Sequence, residues 1–189
     1  MHKIIYASPN KIEWDAQSAF KITNYYTEAE NHMIYCYLKQ YVQSGDLKLC
    51  TFCFDSTAAG KSDFQLCINL NPTCTRSFLL AEFGIDGINS ASILNPDTQQ
   101  IAAVPSDIIE YRSFKTNDQQ GFYWCGELSL SQSFISEYFN TTLKEESIVS
   151  LNLYKTFSNN FDYACLFPDS EKTPFAMGEY LQPFVVLDY

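Results

Sequence analysis

SDFQLCINLNPTCTRSFLLAEFGIDG, Ser62–Gly87, is the stretch whose reading decides the fold. It divides into two strands around the turn Asn71–Arg76, because Asn-Pro-Thr breaks the strand pattern and Pro72 cannot donate to a ladder. In the first strand Phe64, Leu66, Ile68 and Leu70 alternate with Gln65, Cys67 and Asn69, so the even positions face a core. In the second, Leu79, Ala81, Phe83 and Ile85 form the matching apolar set, which leaves Phe78, Leu80 and Glu82 on the other face. Closing the hairpin sets Leu70 opposite Ser77, and counting back sets Gln65 opposite Glu82. An unpartnered carboxylate is costly to bury, so Glu82 is either paired or faces a cleft.

Working outward, the same alternation recurs at Ile34–Val42, Lys48–Phe54, Ile108–Phe114, Phe122–Leu130, Val149–Phe157, Phe161–Phe167 and Phe184–Leu187. Gly, Pro, Asn and Asp clusters separate these runs, as at Ser44-Gly45-Asp46, Asp86-Gly87 and Asn95-Pro96-Asp97. Many short strands with no regularly interleaved helices predict an all-β fold, an antiparallel β-sandwich of jelly-roll type. One short helix is expected at Gln132–Asn140, where Phe134, Ile135, Tyr138 and Phe139 share a face and Ser133 is available as a cap. With no linker, repeat or composition break, residues 1–189 read as a single domain.

A chain of 189 residues with 46% apolar and 18% charged residues has the composition of a globular domain, one able to bury roughly 70% of its unfolded surface without metals or disulfides. The 15 Phe and 13 Tyr against 7 Gly favour strands. A net charge of −10, from 22 acidic and 12 basic residues without a basic stripe, argues against nucleic acid and anionic membrane as partners. No signal-peptide core or membrane-length apolar run is read, so a cytoplasmic location is expected. Seven cysteines, an odd number in a chain that needs no staples, read as reduced thiols. Cys50 and Cys53 have C-x-x-C spacing, but in a strand three residues apart means opposite faces, so they read as ordinary thiols rather than a metal knuckle. Neither metal nor cofactor is expected.

Strand parity proposes a site. In Phe122–Leu130 the residues Phe122, Trp124, Leu128 and Leu130 point inward, so Trp124 is a core anchor and Glu127 faces out. In Val149–Phe157 the inward set is Val149, Leu151, Leu153 and Phe157, so Asn152 and Tyr154 face out with Lys155 near the strand end. If their strands share a sheet, Gln65, Glu82, Glu127 and Asn152 line one polar surface. Trp14, outside the regular strands, is the tryptophan available for stacking, or packs over the sandwich edge. Tyr35, Tyr37 and Tyr41 form a stripe that is either a flat platform or half-buried sheet surface.

Four segments in this order resemble carbohydrate-binding module family 9: the hairpin SDFQLCINLNP with FLLAEFGIDG, the strand and turn FYWCGELSLSQSFI, the late strand SLNLYK, and the ending PFAMGEYLQPFVVLDY. Weaker similarity runs through IEWDAQSAFKI and MIYCYL. The resemblance implies a jelly-roll-like sandwich that binds sugars without catalysing their reactions. Under it Glu82, Asn152, Lys155 and Glu179 keep residue types the family tends to show, whereas Gln65 stands where a glutamate is usual. Ala176-Met177-Gly178 replaces a polar stretch before Glu179. A glutamine can donate to Glu82 and leaves one charge where two carboxylates would repel or share a cation.

The functional reading is a non-catalytic sugar-binding protein, its partner a mono- or oligosaccharide held by Glu82, Gln65, Asn152, Tyr154, Lys155, Trp14 and Glu127. Two other readings stand beside it. A glycoside hydrolase would need two carboxyl groups about 5–10 Å apart, for which Glu82 and Glu127 are the strand-borne pair. A structural or partner-binding sandwich with a decayed site would explain the residues at Gln65 and Ala176–Gly178. His2 and His32 have no nucleophile pattern beside them, which argues against triad chemistry.

Overall fold

The turns that separate the strands have local causes. Ser44 and Gly45 both take positive φ, 50° and 90°, the pair of left-handed residues that a two-residue type I′ hairpin requires. Asn71 donates its backbone N–H to Asn69 Oδ1, and Asn69 Nδ2 donates to Thr75 O, so the turn after the opening strand is tied by its own asparagines.

The computed structural model describes residues 3–26, 34–55, 63–117, 119, 121–156, 163–168 and 180–189. The strands are β1 (Lys3–Ser8), β2 (Phe20–Lys21), β3 (Asn24–Tyr26), β4 (Ile34–Gln43), β5 (Asp46–Asp55), β6 (Phe64–Asn69) and β7 (Phe78–Gly84). There follow β8 (Gly87–Asn95), β9 (Gln100–Ala103), β10 (Glu110–Asn117), β11 (Phe122–Leu130), β12 (Ile148–Thr156), β13 (Tyr163–Cys165) and β14 (Gln182–Asp188). Their main path runs β10-β11-β5-β4-β1-β14-β12-β6-β7-β8-β9. This single sheet curls back so that its two halves face each other, the two layers of a β-sandwich. Tyr111 of β10 donates its hydroxyl to Gly84 O at 2.5 Å and Ser113 donates to Ile85 O at 2.6 Å, which pins one end of the curl to the β7–β8 turn.

Between the layers Phe64 packs against Trp124 at 5.2 Å and Phe83 at 5.8 Å. Leu66, Ile68, Leu79, Leu128, Leu130 and Val149 fill the same core. Trp124 is thus the core anchor that parity predicts. Gln65 pairs with Glu82, the register counted from the sequence.

The strands are antiparallel with one exception: β1 runs parallel to both β4 and β14. It joins the two halves of the sheet. β1, β2, β3, β8 and β9 were not expected as strands; β8 is Ser- and Asn-rich, and its neighbour β7 supplies the pairing that its composition does not advertise. The single α-helix among the described residues, α1 (Gln132–Phe139), lies where periodicity placed it. Its cap is Ser131, whose Oγ accepts from Phe134 N at 3.2 Å, rather than Ser133. Asn140 ends it in the left-handed conformation at φ 49°.

Candidate functional site

The candidate site lies on the outer face of β10-β11-β5-β4. Register places its outward side chains in four rows across the strands. The first row is Glu110, Ser129, Lys48 and Tyr41, and the second is Arg112, Glu127, Cys50 and Lys39. The third is Phe114, Cys125, Phe52 and Tyr37, and the fourth is Thr116, Tyr123, Phe54 and Tyr35. Polarity therefore changes along the strands, from charged to aromatic.

A 3₁₀ turn at Trp14–Ala16 crosses this face. The Trp14 indole packs edge-on to Tyr41 at 5.0 Å and 67°. Its Nε1 donates to Glu127 Oε1 at 2.7 Å, and Lys39 Nζ donates to the Trp14 carbonyl at 2.8 Å. The other Glu127 oxygen meets Arg112 Nε at 3.2 Å. One carboxylate thus fixes both an aromatic ring and a guanidinium. This bond to carboxylate is the stronger, charge-assisted kind.

Trp14 separates two clefts. One, of about 300 Å³, is polar and lined by Lys11, Tyr41, Lys48, Glu110, Arg112, Glu127 and Ser129 among others. The other, of about 420 Å³, is lined by Trp14, Asp15, Ala19, Tyr37, Lys39, Cys50, Phe52 and Cys125. Burial, then the neighbouring Cys125 and Glu127, push the Cys50 thiol up to about 12. Burial also raises Cys125, with Glu127 adding to it. Both thiols are protonated at neutral pH and offer no thiolate nucleophile. Among the described residues no group of three His, Cys, Asp or Glu is gathered as a metal ion would need.

The seven residues nominated from the sequence do not share one surface. Trp14 and Glu127 come together, as just described. Gln65 and Glu82 are neighbours on the outer face of the opposite layer, and among the described residues no hydrogen bond joins them. Asn152, Tyr154 and Lys155 are buried, at 0%, 2% and 0% exposure. The expected polar surface through Gln65, Glu82, Glu127 and Asn152 is therefore corrected: the first two point away from the core on one layer and Glu127 on the other.

The cause at β12 is a second apolar cluster on its outer side, formed by Cys67, Phe78, Tyr154, Tyr163 and Cys165 with Leu80, Leu94 and Leu181 against it. Asn152 is a knot within it. Its Nδ2 donates to Tyr154 Oη at 3.2 Å and Phe167 O at 3.1 Å, and its Oδ1 accepts from Leu153 N and Phe167 N. Lys155 points the other way, with Nζ 5.1 Å from the Phe64 ring centroid and 5.8 Å from that of Trp124.

Glu82 and Glu127 on opposite outer faces cannot flank one glycosidic bond, so the hydrolase pair is also corrected. Glu179, Ala176–Gly178, His2 and His32 lie outside the described residues. Sequence reading missed Arg112, Lys39 and Phe52. Arg112 could have been found by extending the parity of β11 across the Asn117–Gly121 turn, which sets it opposite Glu127.

No protein-family model and no curated protein sequence matches the chain. Solved structures do. A candidate carbohydrate-binding protein of Bacteroides uniformis superposes with a TM-score of 0.74 at 8% identity, over 98% of this chain and 100% of its own. A carbohydrate-binding module of family 9 from Caldicellulosiruptor kristjanssonii, in complex with cellotriose, superposes with a TM-score of 0.66 at 10% identity, over 99% of this chain and 95% of its own. The same kind of module from that organism in complex with glucose gives 0.65 at 10% identity. The fold is that of these modules, as the order of the sequence segments implied.

Proposed function

We propose that this protein is a non-catalytic carbohydrate-binding protein and that its sugar sits against Trp14. One observation supports the reading most: a fixed indole stands between a cleft of aromatic rings and a cleft of charged and hydroxyl groups. A pyranose has an apolar face and a polar rim, so it needs both kinds of surface within one ring's reach. Tyr37, Phe52 and Trp14 would meet the face. Lys39, Asp15, Glu127 and Arg112 would meet the hydroxyls. That modules of the same fold bind glucose and cellotriose adds support at the level of the fold.

Calorimetric titration of the full chain with glucose, xylose and short oligosaccharides tests this. Binding is expected, weakened at least roughly tenfold by Trp14→Ala, the loss of one well-made stacking contact and its neighbours. Glu82→Ala, on the opposite layer, should leave the affinity unchanged. The reverse pattern would move the site to the Gln65–Glu82 surface, and silence across a broad glycan panel would remove the reading.

A further inference from the structure

Cys50 and Cys53 have C-x-x-C spacing, and the fold sends them to two separate partners. Cys50 faces outward into the cleft beside Trp14, where Cys125 is its neighbour. Cys53 faces inward at 0% exposure, directly opposite Cys36 of β4 at 1%. The Cys36 and Cys53 Sγ atoms lie 3.5 Å apart, and both thiols are reduced.

The backbone selects this inward pair for covalent closure. Cys36 O accepts from Ile22 N at 2.9 Å on the far edge of β4, and a strand residue turns its N–H and C=O to the same side, so Cys36 and Cys53 exchange no backbone bonds. Counting from the hairpin agrees: hydrogen-bonded and non-hydrogen-bonded pairs alternate away from Gln43 and Asp46, and Cys36 with Cys53 falls on the second kind. Such pairs hold their Cα atoms about 4.5 Å apart, inside the range of about 4.4–6.8 Å that a disulfide spans. Bringing the sulfurs from 3.5 Å to about 2.05 Å takes about 1.5 Å of approach, which rotation of the two side chains can supply.

Register sets the other cysteines apart. Cys50 stands opposite Glu127 and Cys125 opposite Phe52, so these two are diagonal neighbours with Cα atoms about 7–8 Å apart, at or past the limit for bridging. Cys67 and Cys165 flank β12 on opposite sides, two strand spacings or about 10 Å apart. Cys74 lies on the exposed turn after β6.

We propose that Cys36 and Cys53 are a disulfide modification site, closed by exchange with a small disulfide of the glutathione class while the chain folds. One thiolate attacks the small disulfide, forming a mixed disulfide and releasing one small thiol. The partner thiolate then attacks the protein sulfur of that mixed disulfide, which forms the Cys36–Cys53 bond and releases the second small thiol. The two cysteines give up two electrons and two protons, and the small disulfide becomes two thiols. Because both sulfurs are buried in the finished fold, exchange proceeds while β4 and β5 are open to solvent, and the bond once made is shut away from reductants. Tyr37 and Phe52, the next pair along the ladder, line the Trp14 cleft with rings 6.2 Å apart, so the bond fastens the two strands directly beneath that cleft.

The test holds the full chain in mixed reduced and oxidised glutathione, in one arm during refolding from denaturant and in the other as folded protein, followed by alkylation and peptide mapping without reduction. The expected product is a Cys36–Cys53 link, formed at least roughly tenfold faster in the refolding arm. The linked form should melt roughly 5 °C or more above the reduced one, and should resist dithiothreitol until denaturant is added. Cys50→Ser should leave the link in place, and Cys53→Ala should abolish it. A Cys50–Cys125 or Cys50–Cys53 link as the main product would overturn the assignment. So would seven alkylated thiols in both arms on protein whose circular dichroism is native, or a linked form that melts no higher than the reduced one.

Discussion

β11 and β12 carry the same kind of sequence, apolar residues alternating with polar ones, yet they end in different surroundings. On β11 the alternation is literal: Trp124, Leu128 and Leu130 are buried, while Cys125, Glu127 and Ser129 are partly exposed. On β12 every residue from Val149 to Lys155 is buried, polar ones included. The difference is what lies on the outer side. β11 has a 3₁₀ turn crossing part of its face, whereas β12 has a second cluster packed over it. Alternation reports which way a side chain points. It does not report whether something else arrives to cover it.

The contrast can be broken by mutation. Trp124→Ala, on the inner face of β11, should cost about 3–5 kcal/mol by chemical denaturation, the range for truncating a large core aromatic. Asn152→Ala, on the outer face of β12, should cost about 2–4 kcal/mol, because it empties a fully buried position and removes the acceptor of the Leu153 and Phe167 N–H groups. Glu127→Ala, on the outer face of β11, should cost no more than about 1 kcal/mol, since Arg112 is 74% exposed and its ion pair is screened. The same variant should nevertheless weaken sugar binding by releasing the Trp14 ring. If Glu127→Ala proved as destabilising as Asn152→Ala, the two outer faces would not differ as described.

The smallest effect is alkaline. Cys50 titrates near 12 in the fold against an ordinary value near 9, so the neutral thiol favours the folded state. That stabilisation is fully present below about pH 9 and is lost as pH rises through the folded value. Iodoacetamide labelling read by mass spectrometry should modify the exposed Cys74 readily at pH 8 and Cys50 much more slowly. Comparable rates would mean that the cleft floor is wetter than its geometry indicates.

The opening hairpin was legible because everything that fixes it is local. Alternation gave its faces, Pro72 and the asparagines gave its turn, and counting gave Gln65 opposite Glu82. Phe122–Leu130 was legible to the residue for the same reason. β1 was not, because its strand state depends on partners from both ends of the chain. The site was half legible. Trp14 and Glu127 could be singled out by type and position, but their hydrogen bond joins residues far apart in sequence and needs the fold to bring them together. Asn152 misled because its polarity serves buried backbone groups rather than solvent, and a sequence does not distinguish the two uses.

The parallel strand β1 sets the order of events during synthesis. β4 is made well before β14 and can take one edge of Lys3–Ser8 first, but the other edge waits for Gln182–Asp188. Until then half of the sheet lacks its seam, and the core between Phe64 and Trp124 has no lasting closure. Folding gated by such a distant pairing is slow relative to one built from hairpins alone. The nascent chain therefore presents an open strand edge until Gln182–Asp188 is made, and shielding that edge is the burden this topology places on the cell.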